Sequence, residues 1–98
     1  MLIVTGSIHA RADTIDQAEA LSLSHVHRSR REPGCLAHSV HRDVEDPLHL
    51  VFVEQWADAD ALRAHFAMPA SHEFVRQVSA LAGRRPEMTV FTAEVATL

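Results

Sequence analysis

The residues best able to do chemistry lie around the only tryptophan, Trp56, where a strand-like segment gives way to a helix-like one. Glu54 and Trp56 fall on the same face of that strand, and His65 follows on the helix beside Phe66. Imidazole titrates near neutrality, so His65 is a candidate proton acceptor. Glu54 is a second candidate base if burial raises its pKa, although pairing with one of the arginines would make it structural. The competing interpretation of His65 and Trp56 is that both are core residues.

The eight histidines are the one compositional feature that suggests chemistry or pH-dependent stability. Pairs that are close in sequence do not form a metal site. His25 and His27 on a helix, like His38 and His41 on a strand, point to different faces. His65 and His72 would require two helices to converge, and no third ligand is evident. The sequence therefore predicts no metal and no cofactor.

These side chains must be positioned by a small set of elements, which hydrophobic periodicity and turn residues predict. The predicted elements are a strand over Leu2–His9, a helix from Asp13 or Thr14 to about Arg31, strands over Cys35–Asp43 and about Leu48–Trp56, helices beginning at Asp58 and near Pro69, and a strand over Met88–Ala96. Pro33 and Gly34 are expected to end the first helix, Gly34 by adopting positive φ.

The element order predicts an α+β domain over residues 1–98 with the ferredoxin-like split βαβ arrangement, a four-stranded antiparallel sheet with helices on one face. The second and third strands should form an antiparallel hairpin. Every predicted strand carries apolar residues on both faces, yet the helices can cover only one. We therefore expect a homodimer in which the two sheets pack face to face.

Composition excludes several classes of protein. The net charge is −4 and all nine basic residues are arginines scattered along the chain, so a nucleic-acid-binding face is not expected. No apolar run is long enough to cross a membrane, and no signal peptide is evident, which together predict a cytoplasmic protein. Cys35 is the only cysteine and cannot form an internal disulfide; without an identified base, it is expected to be an ordinary strand thiol.

Three stretches resemble the antibiotic biosynthesis monooxygenase superfamily of dimeric α/β barrels. They are Arg31-Glu32-Pro33-Gly34-Cys35-Leu36, then Glu54-Gln55-Trp56 followed by Asp60-Ala61-Leu62-Arg63-Ala64-His65, and then Pro69 with His72 and Phe74. They occur in the family's order and span most of the chain. The resemblance is more specific for the fold than for any one reaction.

The resemblance implies a cofactor-independent monooxygenase that oxidises a small aromatic, quinol or anthrone-type compound with molecular oxygen. Trp56 and His65 match family positions that line the pocket, so both are assigned catalytic roles, His65 as the base. The expected substrate-binding residues are His38, Phe52, Glu54, Phe66 and His72. The chain contains no tyrosine and no asparagine, so it lacks much of the set that anthrone-oxidising and haem-degrading relatives use, and haem degradation is not expected.

Two alternatives remain open at this stage. One is a non-catalytic dimeric binding or stress-response protein whose pocket holds a hydrophobic metabolite. The other is a non-oxidative isomerase of the same fold, which would use a histidine and Glu54 for proton transfer. His38 and His72 also have structural interpretations, as a hydrogen-bonded strand residue and as support for the start of a helix.

Overall fold

The computed structural model describes residues 1–98 and contains four strands and three helices. In chain order they are β1 (Leu2–His9), α1 (Ile15–Ser29), β2 (Cys35–Asp43), β3 (Asp46–Trp56), α2 (Ala59–Ala67), α3 (Pro69–Leu81) and β4 (Glu87–Thr92). The strands form one antiparallel sheet in the order β2-β3-β1-β4, with the helices on one face. The predicted ferredoxin-like fold is confirmed.

The central strand β3 has a buried and a less buried face, as its alternation predicts. Leu50, Phe52 and Trp56 are almost fully buried against the helices. Between them the carboxylate residue Glu54 is also buried, with only 7% of its surface exposed. Val53, on the opposite face, is 37% exposed. The strand therefore directs an acidic side chain into an otherwise apolar layer, where it requires polar partners.

The helices bury the stripes that their spacing predicts, with some differences. In α1 the small side chains of Ala18, Ser22 and Ser29 are fully buried. Asp58 caps α2 by accepting a hydrogen bond from the Ala61 backbone N–H at 2.8 Å. Thr14 occupies the N-cap position of α1, but its hydroxyl donates to the Leu81 carbonyl oxygen at 2.7 Å instead of accepting from the helix. This hydrogen bond ties the start of α1 to the end of α3.

The end of the last strand differs from the prediction. The strand β4 ends at Thr92, although the alternation continued to Ala96, and Ala93 still exchanges backbone hydrogen bonds with Met1. In α3, Phe74 and Val78 occupy the buried face, and Val75 is 57% exposed. No helix is long and apolar enough to cross a membrane.

Gly34 determines how closely α2 approaches the turn between α1 and β2. Its φ of 81° confirms the predicted positive value. A Cβ atom at this position would lie 2.5 Å from the Cβ atom of Ala61, far inside contact distance. His65 lies one helical turn after Ala61, and Glu32 lies two residues before Gly34. The missing side chain thus lets α2 bring His65 next to Glu32.

We expect Gly34→Ala to lower the free energy of unfolding by about 1–3 kcal/mol or more, because it adds backbone strain to a clash with Ala61. Urea unfolding would measure the loss. Gly83→Ala is the matched control, since a Cβ there would make only ordinary contacts at 3.5 Å or more. Equal stabilities of Gly34→Ala and Gly83→Ala would contradict the packing described here.

Candidate functional site

His65 and Glu32 form a buried polar pair at the junction of α2 and the turn after α1. The Nδ1 atom of His65 lies 3.0 and 3.1 Å from the two carboxylate oxygens of Glu32. The side chains are only 4% and 12% exposed. The Glu32 carboxylate accepts a hydrogen bond from Nδ1–H, so in the neutral ring the free lone pair is on Nε2. This arrangement suits both a general base and a metal ligand.

Glu54 is held beneath the sheet by two neighbouring rings. Its Oε1 atom accepts a hydrogen bond from the Trp56 indole N–H at 2.9 Å and lies 3.2 Å from the His38 Nε2 atom. Burial raises the pKa of Glu54, but the attraction of His38 and the indole hydrogen bond outweigh burial, so the pKa lies below its ordinary value. Glu54 is therefore a carboxylate at neutral pH, which makes it a hydrogen-bond acceptor.

His38 is the least satisfied polar side chain of the site. Its side chain has no exposed surface, and neither ring nitrogen has a hydrogen-bond partner of good geometry. The 3.2 Å approach to Glu54 is attractive, but the atoms are poorly aligned for a hydrogen bond. A buried imidazole without directed partners costs free energy.

His25 comes from α1 and completes a group of three buried rings. It stacks on Phe74 with ring centres 4.1 Å apart, and Arg28 donates to its Nδ1 atom at 3.0 Å. Burial, together with repulsion from His38, His65 and Arg28, lowers the pKa of His25 to about 3. His25 is therefore neutral over the whole physiological range.

The three rings of His25, His38 and His65, which we call the histidine cluster, come from α1, β2 and α2. One nitrogen of each lies within 4.8 Å of the others. Ring centres are 5.3–5.7 Å apart, and the Trp56 ring lies 4.5 Å from that of His65. The cluster is the group of side chains in this chain best able to hold a metal ion.

A cavity of about 350 Å³ lies beside the cluster, between the sheet and α3. Its polar end is formed by His25, Glu54 and His65. Its apolar wall includes Gly6, Ile8, Phe52, Phe66, Phe74 and Val78. The cavity is large enough for a small aromatic molecule. Arg85 and Glu87 also line it and place charges near the start of β4.

The residues predicted from sequence divide into two groups. His65, Phe52, Glu54 and Phe66 line the cavity. Trp56 and His38 do not, because both are fully buried behind the cavity wall. His72 is exposed and also lies outside the cavity wall, since Ser71 and Phe74 occupy the inner face of α3. Direct substrate contact by Trp56, His38 or His72 is therefore not supported by this arrangement.

Sequence reasoning missed His25, Glu32 and Phe74 as site residues. The signal for His25 was present, since it lies three residues after Ser22 and four before Ser29, on the same helical face as these small residues. Glu32 gave no such signal, because its contact with His65 depends on the packing of α2 against Gly34.

We expect the chain to lose stability in mild acid because His25 resists protonation only when folded. Its pKa is lowered from 6.5 to about 3, so below pH 6.5 the unfolded chain binds a proton that the folded chain does not. Between pH 7 and pH 5.5 this difference should remove about 1 kcal/mol of stability. Urea unfolding with a chelator present would measure it. His25→Gln should lose this part of the pH dependence, whereas His27→Gln, on the exposed side of α1, should retain it. Identical profiles of unfolding free energy against pH for both variants would show that His25 is not the group responsible.

Comparison with known proteins supports the same fold and family. The sequence profile of the antibiotic biosynthesis monooxygenase family matches residues 1–77. The uncharacterized protein sll1783 of Synechocystis sp. is 34% identical over 98 residues, which cover 99% of this chain and 67% of that protein.

Solved structures of similar proteins have the same architecture over their full length. A Deinococcus radiodurans protein named for this family superimposes with a TM-score of 0.95 at 26% identity, covering 100% of this chain and 97% of that one. A crystal structure of an antibiotic biosynthesis monooxygenase superimposes with a TM-score of 0.89 at 30% identity, covering 97% and 100% of the two chains. This chain belongs to the antibiotic biosynthesis monooxygenase family.

Proposed function

We propose that the protein is a monooxygenase that oxidises a small electron-rich aromatic compound of the hydroquinone type with molecular oxygen, without a cofactor. The observation that carries the proposal is the position of the buried Glu32–His65 pair at the polar end of an aromatic-lined cavity. The name of the family and of its structural neighbours supports the reaction class.

His65 is the proposed base. Its Nδ1 atom donates to Glu32, and its Nε2 atom has no partner in the protein although the residue lines the cavity. Nε2 would accept a proton from a substrate hydroxyl, and the Glu32 carboxylate would stabilise the imidazolium that forms. Trp56 packs against the His65 ring at 4.5 Å, so we assign it a positioning role.

A second hydroxyl of the substrate would bind to Glu54, which lies at the same polar end of the cavity as His65. The Oε1 atom of Glu54 accepts from Trp56 and lies 3.2 Å from His38, while Oε2 has no protein partner. Because Glu54 is ionised, Oε2 would accept a hydrogen bond from a second hydroxyl. Phe52, Phe66 and Phe74 would contact the ring faces and edges.

The reaction balances without an external reductant. Deprotonation makes the ring electron-rich enough to transfer electrons to oxygen; one oxygen atom is inserted into a ring C–H bond and the other leaves as water. Hydroquinone and oxygen thereby give hydroxyquinone and water, with all four electrons supplied by the ring. The chain's task is to bind the substrate, hold the proton at His65 Nε2 and limit the access of bulk water.

We expect His65→Ala to lower the rate of oxygen consumption with a hydroquinone panel by about 100-fold or more, the usual contribution of a general base. Glu32→Gln should lower it less, because the imidazole remains but its cation is less stabilised. His27→Ala, on an exposed helix face, is the matched control and should retain the activity. Gly6→Val should weaken binding by narrowing the cavity, since a Cβ atom at Gly6 makes only ordinary contacts at 3.5 Å or more and the valine methyl groups would extend beyond it.

Each alternative outcome has a defined meaning. Equal rates for His65→Ala and the unaltered chain would remove His65 from the mechanism. Proton exchange into the substrate without oxygen uptake would favour the isomerase alternative, with the same two polar residues. Substrate binding without turnover would favour a binding protein.

We also propose that two copies pack through the open face of the sheet. This face carries apolar side chains that the helices do not cover, with Val53 37% and Phe91 49% exposed in the single chain. Together with Ile3 and Val51 they form the row of apolar residues expected to require a partner. The most economical partner is a second copy, since a two-fold axis covers both faces at once.

We expect Val53→Arg to convert the dimer to a monomer, because it places an unpaired charge in the proposed interface. Sedimentation equilibrium would measure the mass. Val44→Arg is the matched control, since Val44 lies in the β2–β3 turn and is 99% exposed. A monomeric unaltered protein, or a dimer that persists in Val53→Arg, would contradict this interface.

A further inference from the structure

We propose that the histidine cluster binds a first-row transition-metal dication, with Zn²⁺ as the reference ion. The cluster unites imidazoles from α1, β2 and α2, and one nitrogen of each lies within 4.8 Å of the others. Imidazole is a preferred ligand of Zn²⁺, Cu²⁺ and Ni²⁺. The proposal replaces the expectation of no metal site, which considered the pairs His25–His27, His38–His41 and His65–His72 but not this group of three.

The orphaned His38 ring is the second observation that points to a ligand. Its side chain is fully buried, and both nitrogens lack directed hydrogen bonds. Buried polar groups normally have partners, and an ion at the cluster would supply one. A water molecule would supply a weaker one, because a metal ion also satisfies the lone pairs of the neighbouring rings.

The local charge also favours a cation. The carboxylates of Glu32 and Glu54 flank the cluster, and their only ion-pair partners are the histidines. A dication would balance the two carboxylates without protonating a ring. Arg28, which contacts His25, opposes it.

The hydrogen bonds to neighbouring side chains favour metal binding by His65 and oppose metal binding by His25. The hydrogen bond from His65 Nδ1 to Glu32 is the carboxylate–histidine arrangement that orients a ligating imidazole and raises its basicity. At His25, Arg28 donates to Nδ1 and thereby keeps the proton on Nε2. Binding of a metal ion through Nε2 requires this proton to move to Nδ1, and it requires Arg28 to turn away from His25. Arg28 would then keep its other hydrogen-bond acceptor, the Ala70 carbonyl oxygen.

The geometry requires a modest contraction. Zinc–nitrogen bonds of about 2.0–2.1 Å place tetrahedral ligands about 3.4 Å apart, so the rings must rotate toward the ion. Three protein ligands leave a fourth position open, and His25 and His65 also line the cavity. A water molecule or a small anion in the cavity would occupy that position.

The metal site does not depend on the proposed oxidation. An ion on His65 Nε2 removes the lone pair that the base mechanism needs, so Zn²⁺ should inhibit metal-free oxygen consumption. Metal binding without any oxidase activity would support the site and contradict the proposed function. Oxidase activity without metal binding would do the reverse.

Isothermal titration of the chelator-treated, full-length chain with Zn²⁺ tests the site directly. We expect one ion per chain, and an affinity at least about 100-fold weaker in His25→Gln and in His38→Ala, since each loses a ligand and not merely an outer contact. His27→Ala, the exposed neighbour, should bind as the unaltered chain does. Co²⁺ should give the intense visible bands of a tetrahedral site.

Arg28→Gln tests the site through an expected gain in Zn²⁺ affinity, and this test does not require a core variant to fold. The glutamine carbonyl oxygen can accept from His25 Nδ1–H, so this variant should bind Zn²⁺ about 10-fold more tightly. No binding by the unaltered chain, or unchanged affinity in both His25→Gln and Arg28→Gln, would overturn the proposal. If His38→Ala does not fold, as judged by circular dichroism, these two variants decide the question.

Discussion

The close contact between Gly34 and Ala61 is the constraint on which the site depends. A side chain at Gly34 would overlap Ala61, so only glycine allows α2 to lie against the turn between α1 and β2. That contact sets the position of His65, one turn further along α2, relative to Glu32. The buried contact between the Glu32 carboxylate and the His65 imidazole therefore depends on the glycine at position 34.

The second feature of the site is that polar groups are buried inside a small domain, which has few core residues. Glu54 lies between Phe52 and Trp56 on β3, and the Trp56 indole satisfies one of its oxygens. Burial alone would raise the pKa of Glu54, but its neighbours keep the pKa below the ordinary value. Such polar burial costs free energy, and its occurrence beside a cavity is better explained by function than by packing.

The sequence was sufficient for the fold and for part of the site. Alternation along β3 predicted that Glu54 and Trp56 share one face of the strand, and that face is the one buried against the helices. It did not separate the cavity wall from the layer behind it, so Trp56 and His38 were expected to touch substrate. Periodicity specifies the face of an element but not the depth of a side chain, which depends on how α2 and α3 pack. The Glu32–His65 pair escaped prediction for the same reason, since it joins residues 33 positions apart.

The most direct test of the central claim, that His65 faces an aromatic substrate as its base, is a crystal structure of the metal-free protein with a hydroquinone bound under anaerobic conditions. We expect the ring to lie in the cavity, against Phe52 and Phe66. One hydroxyl should lie about 2.6–3.2 Å from His65 Nε2. A hydroquinone bound outside the cavity, or inside it with both hydroxyls out of reach of His65, would contradict the claim.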